Sequence, residues 1–124
     1  MFDWNDFKTL AEQLRQSESE ASKRTAISRI YYAVYWNARN LLENESYLIR
    51  QYEGSHIQIR NQYKQKTGQI NKAVGRPESE LHRFRVQANY FAKVRNIEQL
   101  TEDSFQITEK MTVYLQQIGK KTEN

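Results

Sequence analysis

The chain has no cysteine, which removes disulfide frameworks, thiolate zinc sites, iron–sulfur centres and cysteine nucleophiles from consideration. It has one proline and four glycines. That is too few breakers for an all-β fold, which needs a turn signal roughly every 8–12 residues. Its apolar runs are far shorter than the roughly 20 residues of a membrane span. The opening Met1-Phe2-Asp3-Trp4-Asn5-Asp6 is acidic and aromatic, without the basic start and apolar stretch of a secretion signal. A cytoplasmic protein with no membrane partner is the expectation. Gly68 and Gly75 are isolated, so no glycine-rich phosphate loop is present. Only two histidines occur, His56 and His82, and neither belongs to an HExxH pattern, so no metal site is expected.

What the chain does have is length for one domain (124 residues), 8 Tyr, 5 Phe and 2 Trp for an aromatic-rich core, and an uneven charge. From His56 to Arg95 nine Lys and Arg face only Glu78 and Glu80, a surplus of seven positive charges, whereas the remainder carries −3. Such a segment attracts a phosphate backbone, or it is a solvated helix face beside a basic loop. Both readings are open at this level.

Apolar spacing predicts five helices. The first covers Asp3 to about Gln16, with Trp4, Phe7, Leu10, Ala11 and Leu14 on one stripe and Asp3 as N-cap. Ser17 and Glu20 have capping-box spacing, and a long second helix follows from about Glu18 to Asn44. Its stripe is Ile27, Ile30, Tyr31, Val34, Ala38, Leu41 and Leu42, but Tyr32, Ala33, Tyr35 and Trp36 spread around the cylinder. A helix apolar on so much of its circumference is buried by several neighbours, so it is the central helix and a candidate subunit interface. Tyr47 to Glu53 reads as a connection with some helical content. Ser55 with Gln58 opens a third helix near His56, running to about Gln65. Thr67 to Gly75 is a polar loop with one turn near Ile70 to Val74. Pro77 stands as a first helical residue, and a fourth helix runs to about Val94 with Leu81, Phe84, Ala88 and Phe91 as its core stripe. Thr101 caps a fifth, with Phe105, Thr108, Met111, Leu115 and Ile118 buried, Gly119 past its end, and a flexible tail over 120–124. The expectation is a single all-α domain over 1–119, an up-and-down bundle of four to five helices.

Helix four holds the most informative polar residues. At about 100° per residue, His82, Arg85 and Asn89 share one edge of the apolar stripe, whereas Arg83 lies elsewhere. A guanidinium there clamps a phosphate, or it pairs with a carboxylate from another helix. Tyr31, Tyr32 and Tyr35 are core residues or base-stacking rings. Arg29 and Arg39 interrupt an apolar helix, as buried ion-pair partners and site residues both do.

The run Ser28-Arg29-Ile30-Tyr31-Tyr32-Ala33-Val34-Tyr35-Trp36-Asn37-Ala38-Arg39 resembles the second-helix signature of HEPN-domain proteins, small prokaryotic helical proteins. Phe2-Asp3-Trp4, Gly54-Ser55-His56 and Arg85-Val86-Gln87-Ala88-Asn89-Tyr90 resemble further segments of one branch, in order over about residues 2–118. The resemblance implies a HEPN-like bundle, commonly a homodimer with a polar cleft. It also implies metal-independent endoribonuclease activity of toxin–antitoxin or defence type. In that chemistry an arginine holds the scissile phosphate and a histidine of an R-x4-6-H motif moves protons. Arg85, Asn89, Tyr90 and His56 are then the candidate catalytic residues. Arg29, Tyr32, Arg39, His82 and Arg83 are candidates for RNA contact. No cofactor is implied. The partners implied are RNA or a nucleotide, a second copy and a protein antitoxin. Asn89 stands where a histidine or acid often does, and asparagine does not titrate near pH 7. That departure keeps a non-catalytic nucleotide- or protein-binding module as the alternative. Two formal R-x5-H matches, Arg50–His56 and Arg76–His82, are interrupted by Gly54 and Pro77.

Overall fold

The computed structural model describes residues 2–50 and 54–123, from 121 onward the backbone alone. Among the described residues the chain is all helix and no strand: α1 (Asn5–Leu14), α2 (Glu20–Asn44), α3 (Ser55–Gln65), a single-turn α4 (Gln69–Ala73), α5 (Gly75–Tyr90) and α6 (Ile97–Glu123). The all-α bundle expected from the spacing is present. α2 is its centre, packing against α1, α3, α5 and α6. Tyr31, Val34, Ala38 and Leu42 of α2 meet Ile59 and Tyr63 of α3, Leu81 of α5, and Met111 and Leu115 of α6. On other sides of α2, Ala26 and Ile30 meet Ala11 and Phe105, and Ile27 meets Ala88, Ile97 and Leu100. Full burial of each such aliphatic side chain is worth about 2 kcal/mol.

Several ends differ from the sequence expectation, each for a local reason. Ser19, not Ser17, caps α2: its Oγ accepts the Ser22 N–H at 3.3 Å. Gly54 precedes α3 in the left-handed region (φ +65°), so Ser55 is the first helical residue. α5 begins two residues before Pro77, at Gly75, which lies tight against α3: a Cβ there would come to 3.2 Å from Lys64. Arg76 and His82 therefore share one unbroken helix after all. The same helix ends at Tyr90 rather than Val94, where the Arg24 guanidinium donates to the carbonyls of Ala88, Phe91 and Ala92. Phe91, expected in the core stripe, lies beyond that end and is half exposed. Asn96, not Thr101, caps α6, its Oδ1 accepting the Gln99 N–H, while Thr101 sits inside the helix on the Ile97 carbonyl. α6 also continues past Gly119 to Glu123, so that glycine is interior rather than a stop. Of the connection expected between Tyr47 and Glu53, residues 47–50 are non-helical and 51–53 lie outside the described residues.

Candidate phosphate-binding seam between α3 and α5

α3 and α5 each carry one histidine to the same place. His56 is the second residue of α3 and His82 lies mid-way along α5. Their rings stack with centroids 3.7 Å apart and planes inclined by 13°. Tyr31 of α2 closes the inner side, its ring 5.9 Å from that of His82. Two guanidiniums flank the pair. Arg85, a turn beyond His82, lies over the rings of Tyr31 and Tyr32 at 5.2 and 5.5 Å. Arg60, a turn beyond His56, is held by Glu78 at 2.8 Å.

The electrostatics follow from this placement. Burial lowers the His82 pKa to about 4, helped by His56, Arg85 and Arg60. Burial also lowers the His56 pKa, again with Arg60 and Arg85 opposing a further positive charge. Both imidazoles are therefore neutral at pH 7, each with one donor and one acceptor nitrogen. Glu78 is almost fully buried, which raises its pKa, while Arg60 and the Tyr31 hydroxyl counteract that rise. The Tyr31 hydroxyl donates to Glu78 Oε1 at 3.2 Å, and Arg60 Nε donates to Oε2. Burial and the adjacent Glu78 push the Tyr31 phenol far above its ordinary pKa.

The contrast between the two arginines sets the chemistry. Arg60 is matched by a carboxylate. Arg85 has no carboxylate within salt-bridge distance among the described residues, and its buried Nε has no hydrogen-bond partner. A buried unsatisfied N–H of a charged group costs a few kcal/mol unless something accepts from it. The seam thus holds an unmatched guanidinium fork beside two neutral imidazoles. That set accepts an anion with several oxygens and can exchange protons with it.

A hydrogen-bond chain lies next to the seam. Arg39 Nη1 donates to the Tyr35 hydroxyl at 3.0 Å, which donates to Ser55 Oγ at 2.7 Å, one residue before His56. Arg39 is 8% exposed and pairs with Glu43, and its guanidinium covers the Trp36 ring. Arg39 therefore takes the ion-pair form of its two expected roles and reaches the seam only through Tyr35. Arg29 lies over Phe7 at 5.0 Å, on the α1 side of α2. Arg83, Asn89 and Tyr90 are exposed, Tyr90 to 74%. Of the sequence candidates, the fold gathers His56, His82, Arg85 and Tyr32, and leaves the others outside the histidine pair. Arg76 reaches into solvent and pairs with Glu80, so the Arg76–His82 match does not form a unit.

Arg60 and Glu78 belong to the seam although the sequence does not mark them as site residues, and Tyr31 takes its core role there. The signal for Glu78 was available: Glu78, Leu81, Arg85 and Ala88 recur at spacings of three and four, so an acid and an arginine occupy the core-facing stripe of α5. No comparable signal joins Arg60 to Glu78, because they are brought together only by helix packing. A cavity of about 370 Å³ on the far side of α2, bordered by Asn37, Asn40, Thr112 and Gln116, holds no such cluster. No group of three potential metal ligands occurs among the described residues, and no helix among them is long and apolar enough to cross a membrane.

Compared with known proteins, the chain matches no family model, no curated protein and no solved structure.

Proposed function

We propose that this chain is a HEPN-like protein that binds RNA at the α3–α5 seam and cleaves it without a metal ion. The observation that carries the reading is the stacked His56–His82 pair beside Arg85, a half-buried guanidinium with no carboxylate partner among the described residues. The guanidinium receives two phosphate oxygens as a fork. The bound anion favours the charged form of one imidazole and leaves the other neutral. The ribose 2′-oxygen then forms a bond to phosphorus while its proton passes to the neutral imidazole. The P–O5′ bond breaks as the charged imidazole protonates the leaving oxygen. The products are a 2′,3′-cyclic phosphate and a 5′-hydroxyl, and Arg85 stabilises the extra negative charge between them. A cytoplasmic toxin or defence role, a homodimer and a protein antitoxin complete the reading, on the sequence resemblance alone.

A second reading, binding of a nucleotide or protein without cleavage, is favoured by exposed Asn89, which offers no titrating group. Incubating the chain with end-labelled RNA in a chelator separates the two. Cleavage to cyclic-phosphate ends that is lost in Arg85→Ala and in His82→Asn supports the nuclease. Binding without cleavage supports the module. RNA that is neither cut nor retained at low salt overturns both RNA readings. Any true phosphate contact weakens steeply as salt rises, because counterions are released.

A further inference from the structure

We infer that the C-terminal end of α5 and the turn after it form a stacking platform for single-stranded RNA leading out of the seam. This rests on the reading of Arg85 as the phosphate grip and names the form of substrate that reaches it.

Tyr90 and Phe91 are large apolar side chains left 74% and 51% exposed. Neither ring stacks on another ring among the described residues. Cations lie close to them along the chain: Arg83, Lys93 and Arg95 are all exposed, and none forms an ion pair within the described residues. Between Arg83 and Ile97 the sequence has four cations and no carboxylate. Arg83 and Tyr90, seven residues apart, fall on the same edge of α5. Asn89 falls on the other edge with Arg85 and is free to meet a base or a sugar hydroxyl. Arg85 and Tyr90 are separated by about 7.5 Å along the axis and about 140° around it, so a strand that reaches both crosses the C-terminal end of α5.

The turn is also held in place. Arg24 donates to three carbonyls at the end of α5, with Glu20 fixing its Nε. The rings are thus presented on a tethered backbone, although nothing covers them. Of the neighbouring acids, Glu20 pairs with Arg24, Glu80 with Arg76 and Glu102 with Arg15, while Glu98 is exposed in the first turn of α6. Asp103, in the cleft beside Arg95, accepts from Gln99. Open aromatic faces flanked by unpaired cations suit a strand whose bases are unstacked and whose phosphates need neutralising. They do not suit a duplex, whose bases are hidden, or an acidic partner without flat rings.

The test compares an unlabelled mononucleotide, uridine monophosphate, with a fluorescent decauridylate, using wild type, Tyr90→Ala/Phe91→Ala and Arg85→Ala. The platform predicts that the aromatic double variant binds the mononucleotide as wild type does and the oligomer about tenfold or more weaker. Arg85→Ala should lose both. Tyr90→Phe/Phe91→Tyr should restore oligomer binding, which a charge or folding effect would not do. An annealed duplex should bind no more tightly to wild type than to the aromatic double variant. Equal oligomer binding by wild type and the aromatic variant overturns the platform while leaving the seam intact. A change in sedimentation without loss of RNA affinity also overturns it, because the patch is then an interface between copies. Failure of wild type to bind the mononucleotide overturns the reading of the seam instead.

Discussion

Two seams run along α2, each built on a stacked pair of rings beside a guanidinium, and Tyr35 lies between them, its ring near Trp36 and its hydroxyl on Ser55. Between α1 and α2, Trp4 lies flat on Trp36 at 4.4 Å, and Arg39 covers the other indole while Glu43 neutralises it. Between α3 and α5, His56 lies flat on His82 at 3.7 Å, and Arg85 lies over Tyr31 and Tyr32 with no carboxylate. The geometry is similar and the chemistry is not. Indoles do not titrate, so the first seam joins helices and little more. Imidazoles do, and an unmatched cation beside them leaves the second seam short of one anion. A stacked pair of rings becomes a candidate site where its polar neighbours are incompletely satisfied.

The sharpest way to break this contrast is to remove the carboxylate from the second seam. Glu78→Ala leaves the buried Tyr31 hydroxyl and the partly buried Arg60 without a partner, and should cost about 3 kcal/mol in urea unfolding. A loss below about 1 kcal/mol would mean that water already reaches Arg60 and that the two arginines are equivalent.

Next in size, Arg85→Ala should reduce RNA cleavage by roughly 100-fold to 1000-fold while leaving stability near that of the wild type. Trp36→Ala should do the reverse, costing about 2–3 kcal/mol of stability with cleavage per folded molecule unchanged. If the two variants behave alike, the seams are not functionally distinct.

A smaller effect sharpens the difference in titration. A histidine whose folded pKa is depressed supports stability above its unfolded value, near 6.5, and that support is lost as pH falls toward the folded value of about 4 for His82. The unfolded chain binds more protons across that window, so stability should fall from pH 6.5 to 4. The size is on the order of 1–2 kcal/mol once solvent screening is allowed for. His56→Asn removes one like-charged neighbour and should raise the His82 pKa, as read by its ring-proton shift in NMR. An unmoved titration would show that the rings are not coupled. The smallest effect belongs to the first seam: Glu43→Gln keeps an acceptor for the nearly buried Arg39 at a half-exposed position and should cost no more than about 1 kcal/mol.

Much of the bundle was legible in the residue order. The stripe Phe105, Thr108, Met111, Leu115 and Ile118 is buried as its spacing requires, and the apolar spread of α2 correctly marked it as central. The ends were less legible, because capping depends on which of several polar residues reaches an N–H. Ser17 and Ser19 are chemically equal candidates, and only the entry angle of the chain chose between them. The site was half legible. The edge shared by His82 and Arg85 follows from helical periodicity. The meeting of His82 with His56 does not, and nor does that of Arg60 with Glu78 across two helices.

The sequence by itself determined an all-helical chain with a central aromatic helix and a basic third quarter, because periodicity and charge are properties of neighbours along the backbone. Only the tertiary structure decided which cation is matched and which is not. Matching depends on the distance between side chains on separate helices, and those distances come from how α3 and α5 pack over Tyr31.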